Sequence, residues 1–206
     1  MIRNLIFDFG RVLVQFEPDD ILSSYIPDPA DRAAVIPVAF DRRYWNRFDD
    51  GTMTEEEAIA LIAPSLPERL REPVAAALLG WYRHLPPVDG MEEMIGRLKA
   101  EFGVPTYLLS NISRKFTEHT DLFPVLRKMD GCVFSALTGV AAKPSREIFA
   151  YTCEKFGLKP EECIFIDDTS RNVAGAEAFG IHGYCFDGDV GRLETYLRDL
   201  LKSRNT

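Results

Sequence analysis

Five short apolar runs, each ending on a polar or acidic residue, constrain this chain more than any other feature. Leu5-Ile6-Phe7 runs into Asp8, Thr106-Tyr107-Leu108-Leu109 into Ser110-Asn111, and Cys132-Val133-Phe134 into Ser135. Cys163-Ile164-Phe165-Ile166 runs into Asp167-Asp168, and Gly183-Tyr184-Cys185-Phe186 into Asp187. Runs this short and this continuously apolar predict strands buried on both faces, as in a parallel sheet. Helical stripes lie between them. Met91, Met94, Ile95, Leu98 and Phe102 share one face and stop at Gly103. Ile148, Phe149, Thr152 and Phe156 form a second stripe between Ser145 and Gly157, and Val190, Leu193, Leu197, Leu200 and Leu201 a third. Strand and helix in alternation predict an α/β domain with a doubly wound parallel sheet.

Residues 16–86 interrupt that alternation. They offer no convincing buried strand, only helical segments: Asp31 to Phe40, a capping box at Thr54-Glu55-Glu56-Glu57 leading to Ile62, and Glu68 to Tyr82. Pro86-Pro87 is a stiff return. The expected organisation is a catalytic core of residues 1–15 and 87–206 with an all-helical insert at 16–86. The alternative is that these helices merely cover one sheet face. A chain of 206 residues, 46% apolar, suffices for one domain carrying such an insert.

The net charge of −8 argues against nucleic acid or an anionic membrane as the main partner. It leaves room for a small phosphorylated substrate, because a metal ion and a few cations can reverse the field of one pocket. No apolar run approaches the ~20 residues of a membrane span. Asp8 follows Ile2–Phe7 where a signal sequence should stay apolar. Cys132, Cys153, Cys163 and Cys185 show no CxxC pair, so buried or inert thiols and a cytoplasmic location are expected. Oligomeric state is not legible.

Ligands of open α/β sheets bind beyond the carboxyl ends of the strands, where Asp8, Ser110-Asn111 and Asp167-Asp168 all fall. Carboxylates gathered in one cleft repel unless a cation neutralises them, and all-oxygen ligation with room for water suits Mg²⁺. An aspartate beside such an ion can attack phosphorus. Ser110 and Asn111 are candidate donors to phosphoryl oxygens, and Lys143 is a candidate to neutralise both nucleophile and transferring group.

In these residues the chain resembles the haloacid dehalogenase superfamily. Ile6-Phe7-Asp8-Phe9-Gly10 resembles its nucleophile motif and Leu108-Leu109-Ser110-Asn111 its second. Lys143-Pro144 with Glu147-Ile148-Phe149 resembles the third, and Phe165-Ile166-Asp167-Asp168 with Asn172, Gly175 and Ala176 the fourth. The resemblance implies a Rossmann-like core, a helical cap at 16–86, and Asp8 as nucleophile. It implies Mg²⁺ held by Asp8, the Gly10 carbonyl and an acid of the fourth motif, with Asp168 favoured over Asp167. Ser110 or Asn111 would hold phosphate and Lys143 stabilise it.

One departure matters. Phosphatases of that family mostly carry a second aspartate, the general acid and base, where this chain has Gly10, followed by Arg11-Val12. Losing a general acid costs ~10²–10⁴ in rate. The Asp-apolar-Gly-polar pattern is similar to a bacterial branch containing an α-glucose-1-phosphate phosphatase, which implies a phosphatase acting on an activated leaving group such as a sugar 1-phosphate or acyl phosphate. The alternatives are a dehalogenase, against which both Asp167 and Asp168 speak, and a catalytically weak relative that binds a phosphorylated ligand or partner. Arg11 is read either as a substrate contact or as a tie to a neighbouring carboxylate. Arg42, Arg43, Trp45, Asn46 and Arg47 form a basic and aromatic cluster, with Arg43 and Trp45 as possible substrate contacts. The other reading has Tyr44 and Trp45 facing the insert's own core. His84, His119 and His182 fit no triad or metal set.

Overall fold

The computed structural model describes residues 1–202; residues 203–206, the end of the expected core segment, lie outside the described residues. The five apolar runs become five strands: β1 (Asn4–Phe7), β2 (Thr106–Ser110), β3 (Gly131–Phe134), β4 (Cys163–Asp167) and β5 (His182–Cys185). They form one parallel sheet in the order β3-β2-β1-β4-β5. Adjacent residues face opposite layers, as the strand period requires. Leu5, Phe7, Leu108, Ile164 and Ile166 pack on one side, and Ile6, Leu109, Val133, Cys163 and Phe165 on the other. Nine α-helices lie among the described residues. Five precede the second strand's crossover: α1 (Pro18–Ser23), α2 (Pro29–Ala39), α3 (Arg42–Asp49), α4 (Glu55–Ile62) and α5 (Glu68–Gly80). Then come α6 (Met91–Phe102), α7 (Arg146–Phe156), α8 (Ser170–Phe179) and α9 (Val190–Lys202). Helices α6 and α9 bury Met94, Leu98, Leu193 and Leu197 on the first layer, while α7 and α8 bury Ile148, Phe149 and Ala176 on the second. This is the doubly wound, Rossmann-like α/β arrangement the alternation predicts.

The sheet changes direction at β1, where the chain crosses to β2 on one side and later to β4 on the other. Loops therefore diverge at the carboxyl ends of these strands and leave a crevice. After β1 the chain folds tightly, with Leu13 and Val14 both donating to the Phe9 carbonyl. Val14 bridges Pro87 in antiparallel fashion, Gln15 N–H donates to Pro86 O, and Val88 N–H to Leu13 O. The helical segment thus leaves and returns through two adjacent extended strips.

Helices α1–α5 share a cluster drawn only from residues 22–78, including Leu22, Val35, Phe48, Ile62, Val74 and Leu78. Their starts follow local rules. Asp28 and Asp41 cap α2 and α3, and Thr54 with Glu57 makes the expected capping box of α4. Phe16, Phe40, Trp45 and Trp81 form an aromatic seam between this cluster and the sheet's own layer. No described helix is long and apolar enough to cross a membrane. Of the four free cysteines, Cys153 and Cys163 are buried, whereas Cys185 is exposed.

Candidate active site

The ends of β1, β2 and β4 bring Asp8, Ser110 and Asp167-Asp168 around one cleft. Lys143 enters from the loop before α7. Its Nζ lies 2.7 Å from Asp8 Oδ1 and 2.8 Å from Asp167 Oδ2, and its side chain is 1% exposed. Burial drives the Asp8 carboxyl up to about 7, with Lys143 opposing the rise and Asp167 adding to it. Burial also works against the Lys143 ammonium, but the facing charges of Asp8 and Asp167 prevail and hold it above an ordinary lysine.

The two acids of β4's end are used differently. Asp167 Oδ1 accepts from Thr169 N–H at 2.8 Å, and the Asn172 amide donates to both its oxygens at 3.2 and 3.1 Å, in addition to Lys143. Asp168 is half-buried, and among the described residues its carboxylate accepts from the Thr169 hydroxyl alone, at 3.3 Å. Burial and the charge of Asp167 raise its carboxyl. One oxygen each of Asp8, Asp167 and Asp168 lies within 4.8 Å of the others. Three carboxylates so close, against one buried lysine, leave excess negative charge that a hard, oxygen-seeking divalent cation fits. The donors free to meet it are Asp8, Asp168 and the Gly10 carbonyl, which accepts no hydrogen bond among the described residues. Those of Asp167 are engaged.

Ser110 is buried at the wall of the cleft, and among the described residues its hydroxyl makes only a 3.5 Å contact with Asn111 O. It is available to an anion. Asn111 also lines this cavity, and its carboxamide grips the main chain of Lys143. It donates to Lys143 O and accepts from Lys143 N–H, both at 2.9 Å. A side chain that satisfies two backbone groups holds the Lys143 loop in place.

Arg11 has a left-handed backbone (φ 58°), and its Nε donates to Phe16 O and pairs with Glu17, each at 3.2 Å. It still borders the outer cleft beside Asp168, so both expected roles are open to it. Arg43 turns away. It pairs with Asp41 at 2.7 Å, is 80% exposed and lines no cavity about Asp8. Its neighbours Arg42 and Asn46 face the cleft instead. Trp45 lies between the two surroundings. It stacks on Phe40 at 5.1 Å and 12°, and it walls the cleft together with Phe16 and Trp81.

One residue the sequence reading missed lies here. Asp49, the last residue of α3, lines the ≈190 Å³ cavity that holds Asp8 and Ser110. Its place was traceable: Trp45 and Asp49 stand four apart on one helix, so the face that carries the indole into the cleft carries the carboxylate too.

Comparisons with known proteins place the chain in one family. A family model for haloacid dehalogenase-like hydrolases matches residues 2–180. The chain is similar to a sesquiterpene phosphatase of Aspergillus oryzae, 26% identical over 185 residues, covering 86% of each chain. It is also similar to a D-ribitol-5-phosphate phosphatase of Bacteroides thetaiotaomicron, 24% identical over 195 residues, covering 89% of this chain and 91% of that one. Among solved structures, a HAD family enzyme of Bacteroides thetaiotaomicron in complex with magnesium and inorganic phosphate superposes with a TM-score of 0.67. It is 22% identical and covers 94% of this chain and 99% of its own.

Proposed function

The chain belongs to the haloacid dehalogenase-like hydrolases, and on that premise we propose that it is a magnesium-dependent phosphatase of a small phosphorylated metabolite, working through an aspartyl-phosphate on Asp8. The observation that carries this reading is Lys143 held between Asp8 and Asp167, with the free oxygens of Asp168 and Gly10 alongside. The names of the two relatives and the magnesium and phosphate in the neighbouring structure support it. The helical segment 16–86 is read as a cap over the core, supported by its separate hydrophobic cluster. The four free cysteines support a cytoplasmic enzyme.

Asp8, Gly10 and Asp168 would hold Mg²⁺, with Asp167 anchoring Lys143 behind them. Bound there, the ion would supply charge neutralisation for the nucleophile and the phosphoryl oxygens. Lys143 orients Asp8 and balances charge on the transferring group, and Ser110 donates to a phosphoryl oxygen. The aromatic wall of Phe16, Trp45 and Trp81 excludes water and takes the apolar face of the leaving group. Gly10 offers no side chain to protonate the leaving oxygen. That supports an activated leaving group, such as the anomeric oxygen of a sugar 1-phosphate, unless another acid faces the cavity.

The test is phosphate release from p-nitrophenyl phosphate, glucose 1-phosphate, glucose 6-phosphate and acetyl phosphate, with and without Mg²⁺. Turnover that needs Mg²⁺ and disappears in Asp8→Asn, with intact mass excluding deamidation, is the expected result. Full activity in Asp8→Asn would overturn the reading.

A further inference from the structure

Another acid does face the cavity. We infer that Asp49, reaching in from α3, protonates the leaving oxygen in place of the side chain missing at Gly10; the assignment rests on the phosphatase reading above.

Three observations carry it. Asp49 lines the same cavity as Asp8, Gly10 and Ser110, the space that a substrate reaching Asp8 would occupy. Its carboxylate accepts no hydrogen bond and forms no ion pair among the described residues. Asp28 and Asp41, by contrast, spend theirs on the N–H groups of their helices. Asp49 also sits at the C-terminal end of α3, where the helix dipole disfavours a negative charge, so the position does not serve the helix. Third, its backbone is fastened to the core. The Ser135 hydroxyl donates to Asp49 O at 2.6 Å and accepts from Ile112 N–H at 3.0 Å, tying α3 to the loop after β2.

Electrostatics agree with this placement. Burial pushes the Asp49 carboxyl up to about 7, with Lys143 and Arg42 lowering it and Asp50 raising it further. Asp8, Asp168, Arg11 and Arg171 are the other charged groups bordering the clefts that Asp49 lines. An acid with this titration is protonated in a large share of molecules near neutrality, which suits general acid catalysis.

An Asp8 oxygen forms a bond to phosphorus while the ester P–O bond breaks, and the departing oxygen takes the proton of Asp49. The Asp49 carboxylate then accepts a proton from water as that water's oxygen attacks the aspartyl-phosphate. Inorganic phosphate and the Asp8 carboxylate are released, and Asp49 is again protonated.

The experiment compares kcat/KM, which reports the first step alone, for p-nitrophenyl phosphate and for glycerol 3-phosphate, using the full chain with Mg²⁺. The nitrophenolate departs without a proton; the glycerol alkoxide needs one. In Asp49→Asn the glycerol 3-phosphate value is expected to fall ~10² further than the p-nitrophenyl phosphate value. The decline of wild-type kcat/KM for glycerol 3-phosphate as pH rises through about 7 is expected to vanish in that variant. Asp49→Glu, which keeps a carboxyl, should recover part of the selective loss. Equal losses on both esters, or none, with wild type active on both, would overturn the role of Asp49 and leave the phosphatase reading standing. Wild type inactive on both would remove the two together.

Discussion

Lys143 Nζ stands 2.7 Å from Asp8 Oδ1 with its side chain sealed from solvent, so the ammonium is the only described cation in contact with the nucleophile. Removing it in Lys143→Met leaves Asp8 facing Asp167 uncompensated. Breaking a buried pair in this way costs about 3–5 kcal/mol, read by urea unfolding at pH 7. The loss should depend on pH. The Asp8 carboxyl is already raised to about 7 against an ordinary 3.8, so the native state binds its proton more tightly than the unfolded chain does. The stability this gives is complete below about 3.8 and is lost as pH rises through about 7. Without Lys143 the native carboxyl titrates higher still, and the deficit against wild type should widen from pH 5 to pH 8. A deficit flat across that range would contradict the electrostatic account.

Magnesium should relieve the same crowding. Bound at Asp8, Gly10 and Asp168, it should stabilise the fold by about 2.7 kcal/mol at a hundredfold excess over its Kd. Thermal unfolding with and without MgCl₂ reads this gain, and EDTA should reverse it. Asp8→Asn and Asp168→Asn should lose most of it, because each removes a free oxygen donor. An undiminished magnesium shift in Asp168→Asn would place the ion elsewhere.

The sheet and most of this cleft were legible in the sequence for a physical reason. Strands such as Cys163–Asp167 are buried on both faces, so their residues must all be apolar until the chain emerges into the site. The stripe of α6 and the capping box of α4 are equally local. What the sequence hid depends on distant backbone. Asn111 reads as a phosphate donor, and its grip on the main chain of Lys143 depends on a residue 32 positions on. Asp49 reads as one more acid at the end of a polar helix, because that helix end is tied to the core through Ser135, 86 residues away. Half of the helix that carries it is charged, with only Tyr44, Trp45 and Phe48 to mark a buried face.

Gly175 in α8 tests how the Lys143 loop is held. Ordinary helix propensity favours Gly→Ala by about 1 kcal/mol. Here a Cβ would stand 2.6 Å from Pro144 O and 2.8 Å from Pro144 Cβ, and overpacking of that kind costs about 1–3 kcal/mol. The collision should win. Gly175→Ala is expected to unfold at lower urea and, by shifting the residue next to Lys143, to lower kcat/KM. Gly96→Ala in α6 is the control, since its Cβ meets only Lys128 Nζ at 3.7 Å; it should gain stability with activity unchanged. Gain in both variants would mean the loop yields freely.

Ser135 is the joint between α3 and the core, and its removal should affect chemistry more than its distance from phosphorus suggests. Ser135→Ala leaves the Ile112 N–H and the Asp49 carbonyl without their shared partner, at a cost of about 1–3 kcal/mol. The fold should survive, because Gly51 keeps the following turn seated: its φ is +66°, and the space beside it is filled by Ala136 O, 2.6 Å from where a Cβ would be. What loosens is the aim of Asp49. Kinetics should then show a loss on glycerol 3-phosphate that exceeds the loss on p-nitrophenyl phosphate, in the same direction as Asp49→Asn but smaller. Because the acid is still present, the decline toward high pH should persist in Ser135→Ala. Disappearance of that decline would mean the hydroxyl itself takes part in proton transfer. Equal losses on both esters would mean that it only holds the segments together.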